Sequence, residues 1–188
     1  MSTLTLKELS APTGEVIKIA AGKTLDLNSQ GTLILPTIPA SKMPSGTVIA
    51  VYTSVLTSQV TFSSSSHTDS GLTVTLTPQS ANSKFILTIT GKTHIDTTST
   101  NGATDHEIYR NSTLIQKGVH TNYFNRADFS SDYYPVFNLT HIDSPSTTSS
   151  VTYKMMGRKY GGSDAPWTLA ASNAGTRYAS LTIMEIQG

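Results

Sequence analysis

Apolar and polar residues alternate strictly in four stretches of the chain. Alternation with a period of two places every apolar side chain on the same face of a β-strand. Each of the four rows therefore predicts a strand with one buried face. The apolar members of the rows are Leu72, Val74 and Leu76; Phe85, Leu87 and Ile89; Val151, Tyr153 and Met155; and Ala179, Leu181 and Ile183.

Turn-forming residues separate these predicted strands. Stretches that could form helices are interrupted by glycine, proline or runs of β-branched residues. Strands at this spacing with no helix between them predict an all-β fold, with an antiparallel β-sandwich of jelly-roll type over residues 46–188. The predicted turns are Asn101-Gly102, Arg110-Asn111-Ser112, Asp143-Ser144-Pro145 and Gly161-Gly162.

The last predicted strand carries aliphatic residues on both faces. Leu181, Ile183 and Glu185 face one side, whereas Thr182, Met184 and Ile186 face the other. Two arrangements are compatible with this pattern. The second face is covered by a neighbouring subunit, or the strand is central in a two-layer sandwich.

Residues 1–45 follow a different pattern, in which a glycine precedes a pair of aliphatic residues. Three such units follow one another at glycine spacings of 8 and 9 residues. One unit has too little apolar surface to be stable alone, so we expect three copies of the chain to bury these pairs around a common axis. A flexible arm with glycines recurring by chance is the alternative. The pairs are Ile17 and Ile19, Leu25 and Leu27, and Leu33 and Leu35, and a proline-rich connector follows them at residues 36–44.

The composition excludes several classes of function. The chain has 188 residues and a formal net charge of +1. A near-neutral chain gains little from counterion release, so we expect no nucleic-acid binding by a basic face. No apolar run approaches the roughly 18 residues of a membrane-spanning helix, so we expect no membrane insertion, and the N-terminus is too polar for a secretory signal peptide. The absence of cysteine removes disulfides, thiolate nucleophiles and cysteine-based zinc sites.

Threonine and serine replace charged residues on the polar faces. They account for 55 of the 188 residues, whereas charged residues make up 13%. Such a surface offers few groups for acid–base catalysis. Asp105 and Glu107 share one face of a predicted strand and could form the carboxylate pair of a glycosidase, but a solvated surface pair is the alternative. There is no G-x-S-x-G motif. We therefore expect no enzymatic activity, no catalytic residue and no cofactor.

Histidine and aspartate could also meet as a small cluster. His94 and Asp96 lie two residues apart, and Asp105 and His106 lie beyond the Asn101-Gly102 turn. In a trimer, one histidine from each chain could instead converge on the three-fold axis. A polar position at the rim of the sheet is the alternative for each, and we predict no metal site. The histidines considered are His67, His94, His106, His120 and His141.

Three segments resemble the recurring pattern of tail-fibre-type domains in fibre-like structural proteins of marine tailed bacteriophages. They are TVTLTPQSANSKFILTI at 73–89, IDSPSTTSSVTYKM at 142–155 and the ending ASLTIMEIQG. The opening of the chain, through LDLNSQGTLILP, is loosely similar to the N-terminal segments of the same proteins. The resemblance implies a homotrimeric virion component on the tail or capsid surface, assembled in the host cytoplasm. It brings no catalytic residue and matches nothing between about 94 and 135.

Two segments rich in aromatic residues, 121–135 and 158–167, are candidates for contact with a host surface glycan. Sugar sites combine an exposed aromatic face with amide, carboxylate or guanidinium groups that bind hydroxyls. Burial of these aromatics in the core or in the trimer interface is the alternative. The candidate receptor-binding residues are Tyr123, Phe124, Arg126, Asp128, Tyr133, Tyr134, Tyr160 and Trp167.

The sequence thus predicts a trimeric tail fibre or fibre-like virion protein, exposed on the particle surface and attached to other virion proteins through residues 1–45. Two alternatives remain. One is a capsid decoration or head fibre protein, which uses the same sandwich and docking arm. The other is a carbohydrate-binding module or depolymerase that acts on host polysaccharide.

Overall fold

The computed structural model describes residues 38–95, 101–119, 134–160, 165–170 and 178–188. The chain divides into two units, 1–37 and 38–188, and every described residue belongs to the second. Across these residues, a short 3₁₀ turn at Ala40–Lys42 precedes ten β-strands. No helix in this part of the chain is long and apolar enough to cross a membrane. The apolar pairs predicted at the trimer axis lie outside the described residues.

The strands follow one another with short connections. Their bounds are β1 (Val48–Leu56), β2 (Val60–Phe62), β3 (Thr68–Leu76), β4 (Lys84–Ile95), β5 (Thr104–Arg110), β6 (Thr113–Val119), β7 (Val136–Asp143), β8 (Val151–Lys159), β9 (Trp167–Leu169) and β10 (Ala179–Ile186).

Eight long strands form two antiparallel sheets. The first sheet has the order β1-β10-β4-β7, and the short strands β9 and β2 extend it beyond the end of β10 along β4. The second sheet has the order β3-β8-β5-β6. Among the long strands, the first therefore pairs with the last, the second with the seventh, the third with the sixth and the fourth with the fifth. This is the pairing of a long hairpin rolled into two layers, the jelly roll. The prediction of an all-β antiparallel sandwich is confirmed.

The core lies between the two sheets and is built from the alternating residues that the sequence indicates. All twelve apolar members of the four rows are buried there. The Phe85 ring of the first sheet lies 5.9 Å, centroid to centroid, from the Tyr153 ring of the second. Full burial of a side chain of this kind stabilises the folded state by roughly 1.5–3 kcal/mol. The alternation is therefore the main source of stability, and it also sets which side chains face outwards.

The last strand lies at the centre of the first sheet. β10 pairs with β1 on one side and with β4 on the other. Ala179, Leu181, Ile183 and Glu185 are buried, and the residues between them are partly covered. Of the two arrangements that the sequence left open for this strand, the central position is the one observed within a single chain.

A buried carboxylate fastens the turn between β3 and β4 to β10. Glu185 is fully buried, and its Oε1 accepts hydrogen bonds of 2.7 Å from the backbone N–H of Gln79 and from Ser83 Oγ. The Tyr52 hydroxyl donates to Oε2 at 3.3 Å. Burial, together with the charge of Glu185, raises the pKa of Tyr52, so the phenol remains a donor. Two of the segments that carry the resemblance, 73–89 and the C-terminal strand, are thus joined by direct hydrogen bonds.

A second carboxylate links the two sheets. Asp143 ends β7 in the first sheet, and both of its oxygens lie 2.8 Å from Nη1 of Arg110 in the second. The Tyr153 hydroxyl donates to Asp143 Oδ2 at 2.7 Å. Burial and this hydrogen bond raise the pKa of Tyr153. The guanidinium group of Arg110 and the hydroxyl of Tyr153 therefore both bind Asp143, the first residue of the Asp143-Ser144-Pro145 turn.

We predict that Glu185→Gln lowers the free energy of unfolding by about 2 kcal/mol. The uncharged amide oxygen accepts weaker hydrogen bonds from Gln79 and Ser83 than a carboxylate oxygen does, and the NH₂ group replaces the oxygen that accepts from Tyr52. Urea denaturation of the full chain measures this loss. Asp69→Asn is the matched control, because Asp69 is exposed and its one hydrogen bond, from the Gly71 N–H, can be kept by an amide oxygen. A loss of similar size in both variants would contradict a specific role for Glu185.

Candidate functional site

The outward-facing side of the first sheet carries three successive cross-strand rows without a charged residue. Directly opposed residues on antiparallel strands share a face, so the strand registers define these rows. We refer to the three rows together as the uncharged face. They are an apolar row (Val51, Met184, Ile86 and Ile142), a threonine row (Thr53, Thr182, Thr88 and Thr140) and a mixed row (Val55, Ser180, Thr90 and Asn138).

Large apolar side chains are concentrated on and beside this face. Val51 is 60% exposed and Ile142 is 63% exposed, at the two ends of the apolar row. Five of the nine exposed large hydrophobic residues in the described part of the chain lie on this side of the first sheet; the other three of the five are Val48, Val55 and Val136. The first charged side chains along β4 are Lys84 at one end and Lys92 at the other. The face is therefore an apolar and hydroxyl surface bordered by cations.

The size of this surface is that of a typical interaction patch. With strands about 4.8 Å apart and same-face residues about 6.8 Å apart, the three rows of four residues cover about 390 Å². The largest patch on a monomer is generally about 300–600 Å² and often functional, and a standard interface buries about 800 Å² on each partner, so this face would form the centre of such an interface. Threonine suits such a contact, because its methyl group can be buried while its hydroxyl finds a partner across the interface.

The structure places one of the predicted receptor-binding residues at the end of this side of the sheet. The Tyr134 ring stacks on the His94 ring, with centroids 4.6 Å apart and planes 21° apart. The Lys92 ammonium lies 5.0 Å from the centroid of the Tyr134 ring. Tyr134 is partly buried and lies two residues before β7, so this aromatic and cationic group flanks the uncharged face. The other candidates in that segment, Tyr123, Phe124, Arg126, Asp128 and Tyr133, lie outside the described residues.

The assignment of Trp167 as a contact residue is wrong. Trp167 is fully buried, its ring lies 4.2 Å from Phe62 between centroids, and its Nε1–H donates to the Arg158 carbonyl at 2.7 Å. Gly157 makes this packing possible, because a Cβ there would lie within 2.8 Å of the Phe62 ring. Tryptophan here closes the end of the core and cannot stack on a sugar. Tyr160, from the same predicted segment, is 38% exposed.

The two carboxylates considered as a catalytic pair lie on the outer face of the second sheet, on β5. Asp105 is fully buried, and its Oδ2 accepts a hydrogen bond of 2.7 Å from Arg158 Nε. Glu107 lies two residues further along the same face, where Lys117 Nζ is 3.8 Å from Oε1 and the Tyr109 hydroxyl donates to Oε2 at 2.7 Å. Their predicted position on one face of a strand is confirmed.

His67 bridges the two carboxylates from above the sheet. Its Nε2 lies 3.6 Å from Asp105 Oδ1, and its Nδ1 lies 3.3 Å from Glu107 Oε2. Arg158 also reaches the carbonyl of Ser65 at 3.5 Å. Together these contacts hold the segment before β3 against β5. The ionic cluster therefore anchors a loop, and its carboxylates point at cations rather than into an open cleft.

The remaining histidines are dispersed. His106 faces the core, and Gly118 opposite it provides the space, because a Cβ there would overlap the imidazole. His141 lies on the inward side of β7, whereas Asp96 and His120 fall outside the described residues. Within the described ranges, no group of three histidine or carboxylate side chains could hold a metal ion.

The pairing across strands was missed by sequence reasoning. The uncharged face, the hydrogen bonds of Glu185 and the link through Asp143 cannot be predicted from the linear sequence. Each depends on residues that are distant along the chain and are brought together by the pairing of strands. The only sequence signal was the second aliphatic face of β10, represented by Met184 and Ile186.

Neither a protein-family model nor a curated protein sequence matches the chain. Among solved structures, it is similar to part of dimeric latent PorU from Porphyromonas gingivalis, with a TM-score of 0.36, 10% identity and coverage of 79% of this chain and 14% of that one. It is also similar to a chain of infectious bursal disease virus, Gx strain (TM-score 0.31, 18% identity, coverage 84% and 43%). For VP2 of a subviral particle of that virus, the TM-score is 0.28 at 20% identity, with coverage of 74% and 38%. The chain spans less than half the length of each of these proteins.

We predict that stability falls as the pH drops from about 6.5 to about 4, partly through His106. Burial lowers the pKa of His106 to about 4, against the opposing effect of the Asp105 charge. In this pH range the unfolded chain binds a proton that the folded chain does not, so the stabilisation present above pH 6.5 is lost on acidification, by up to about 3 kcal/mol.

Urea denaturation of the wild type and of His106→Gln across this range isolates the effect, because the carboxylates titrate in both proteins. The difference between the two unfolding free energies should shrink or reverse towards pH 4. Parallel pH profiles would contradict the assignment.

Proposed function

We propose that this chain is a virion structural protein, a trimeric fibre or fibre-like component of a tailed bacteriophage whose copies pack through the uncharged face. The observation that carries the proposal is the continuous apolar row across four strands, with Val51 and Ile142 exposed at its ends. A surface without charges neither repels a second copy of itself nor calls for an oppositely charged partner. It therefore suits contact between identical chains.

The charge distribution supports this arrangement. In the described part of the chain, the second sheet carries two ion pairs on the opposite layer of the sandwich, Arg158 with Asp105 and Lys117 with Glu107, in which the carboxylates are buried and the cations are partly exposed. Packing through the first sheet would leave these groups and the second sheet facing outwards. In this proposal the ionic cluster is structural and the chain is not an enzyme.

Residues 1–45 would attach the trimer to other virion proteins, and the loops beside Tyr134 and Tyr160 would face the host surface. A head-fibre or capsid decoration protein would use the same trimer, so the proposal is tested first at the level of assembly. The attachment partner then distinguishes the tail from the capsid.

We expect light scattering on the full chain to give a mass near three times 20.1 kDa. The double variant Val51→Lys/Ile142→Lys should dissociate the trimer into monomers, because burying two ammonium groups per chain in an apolar contact costs several kcal/mol. Both positions are exposed within one chain, so the monomer should remain folded.

Leu114→Lys is the control, because Leu114 is 43% exposed on β6 of the other sheet. It should leave the trimer intact. A monomeric wild type would refute the trimer. A double variant that stays trimeric would refute the role of the uncharged face, and dissociation by Leu25→Asp/Leu27→Asp instead would assign the contact to the N-terminal repeat.

A further inference from the structure

A cavity of about 290 Å³ opens on the outer face of the second sheet, away from the uncharged face. It is lined by Tyr109, Asn111, Ser112, Lys154 and Met156. Tyr109 and Lys154 are direct cross-strand partners on β5 and β8, and Met156 lies two residues further along β8 on the same face. The turn between β5 and β6 supplies the other two residues. The volume of the cavity is close to the lower end of the range for small-molecule sites, roughly 300–1,000 Å³.

The turn that closes one end of the cavity is rigid. Asn111 adopts a left-handed backbone conformation, with φ of 54°. Its backbone N–H donates to the Thr152 carbonyl at 2.7 Å, and its side-chain Oδ1 accepts from the Thr152 N–H at 2.8 Å. Because the carboxamide oxygen is engaged, the side-chain NH₂ is the group left to interact with a ligand. The cavity is thus preformed at this end.

The polar groups in the cavity are mainly donors. Lys154 makes neither an ion pair nor a hydrogen bond with any residue that the structure describes. Two carboxylates flank Met156 on that face, on the strands to either side of it. Glu107 is already engaged by Lys117, His67 and the Tyr109 hydroxyl, and Asp69 accepts a hydrogen bond from the Gly71 N–H, but neither lines the cavity. An ammonium, an amide NH₂ and the Ser112 hydroxyl therefore share a small space without an anion among them.

The other two lining residues supply apolar surface beside these donors. The hydrogen bond of 2.7 Å from the Tyr109 hydroxyl to Glu107 prevents the ring from turning away. The Met156 side chain lies next to it across the strand pair. An aromatic ring and a thioether next to a set of donors match the two kinds of surface of a sugar ring, its C–H face and its hydroxyl edge.

We propose that this cavity binds a carboxylated sugar unit of an acidic polysaccharide. In this site Lys154 pairs with the carboxylate, Asn111 and Ser112 bind ring hydroxyls, and Tyr109 and Met156 pack against the C–H face. The inference deepens the proposed host contact, and it rests on the proposed function only for the expectation that a surface polysaccharide is the natural source. It adds a second host contact, on the second sheet, to the one proposed for the loops around Tyr134 and Tyr160.

The test is an NMR titration of the full chain with a tetramer of galacturonic acid, alongside its methyl ester as a neutral ligand of matched shape. We expect saturable shifts around Tyr109 and Lys154, with a dissociation constant on the order of 1 mM for one bound unit. Binding of the ester should be at least tenfold weaker. Lys154→Gln should weaken binding of the acid at least tenfold, whereas Lys84→Gln, at an exposed lysine of the first sheet, should leave it unchanged.

Four results would overturn the site: the absence of saturable shifts, equal binding by the ester, equal binding by Lys154→Gln, or an equal response to sodium acetate, which would indicate a general anion site. The mass of the protein in solution distinguishes failure of the sugar site from failure of the proposed trimer. A trimer that does not bind the acid refutes the sugar site alone, and a monomer that binds it refutes the trimer alone.

Discussion

The register of β10 between β1 and β4 is the constraint on which the rest of the molecule depends. A slip of one residue would turn Thr182 and Met184 into the core and expose Leu181 and Ile183. The same slip would move Glu185 away from the turn that it fastens. The hydrogen bonds of Glu185 to Gln79 and Ser83 therefore hold the register at the end of the strand, while the buried row of aliphatic residues holds it along the length. Both the core and the outward faces follow from this one alignment.

The two outward faces of the sandwich differ in chemistry because the few charges are unevenly distributed. On the first sheet, the central rows combine aliphatic side chains with threonine, and the nearest ammonium groups lie at the ends of β4. On the second sheet, Asp105 and Glu107 are surrounded by His67, Arg158 and Lys117. We infer that the first face packs against identical chains and that the second remains exposed, where the cavity beside Lys154 can bind a ligand.

Much of the fold could be predicted from the sequence, because a strand with one buried face shows an alternation of apolar and polar residues that is visible in the sequence itself. The rows at Leu72, Phe85, Val151 and Ala179 all became strands of the core. The surfaces to which we assign functions could not be predicted in the same way. The apolar row joins Val51 to Ile142 through two other strands, and no local pattern encodes that alignment. Trp167 was misassigned for a related reason. Its glycine-rich neighbourhood indicated a loop, but the indole packs in the core against Phe62, whose ring occupies the space over Gly157.

Burial of the uncharged face between copies is tested most directly by the reactivity of a thiol placed on that face. The chain has no cysteine, so Thr140→Cys introduces a single probe in the threonine row, and Thr73→Cys places the same probe on the exposed second sheet. Both side chains are exposed within one chain. We expect a thiol reagent to label position 140 at least tenfold more slowly than position 73 in the native protein, with equal rates after denaturation. Equal rates in the native protein would show that the uncharged face is not buried between copies.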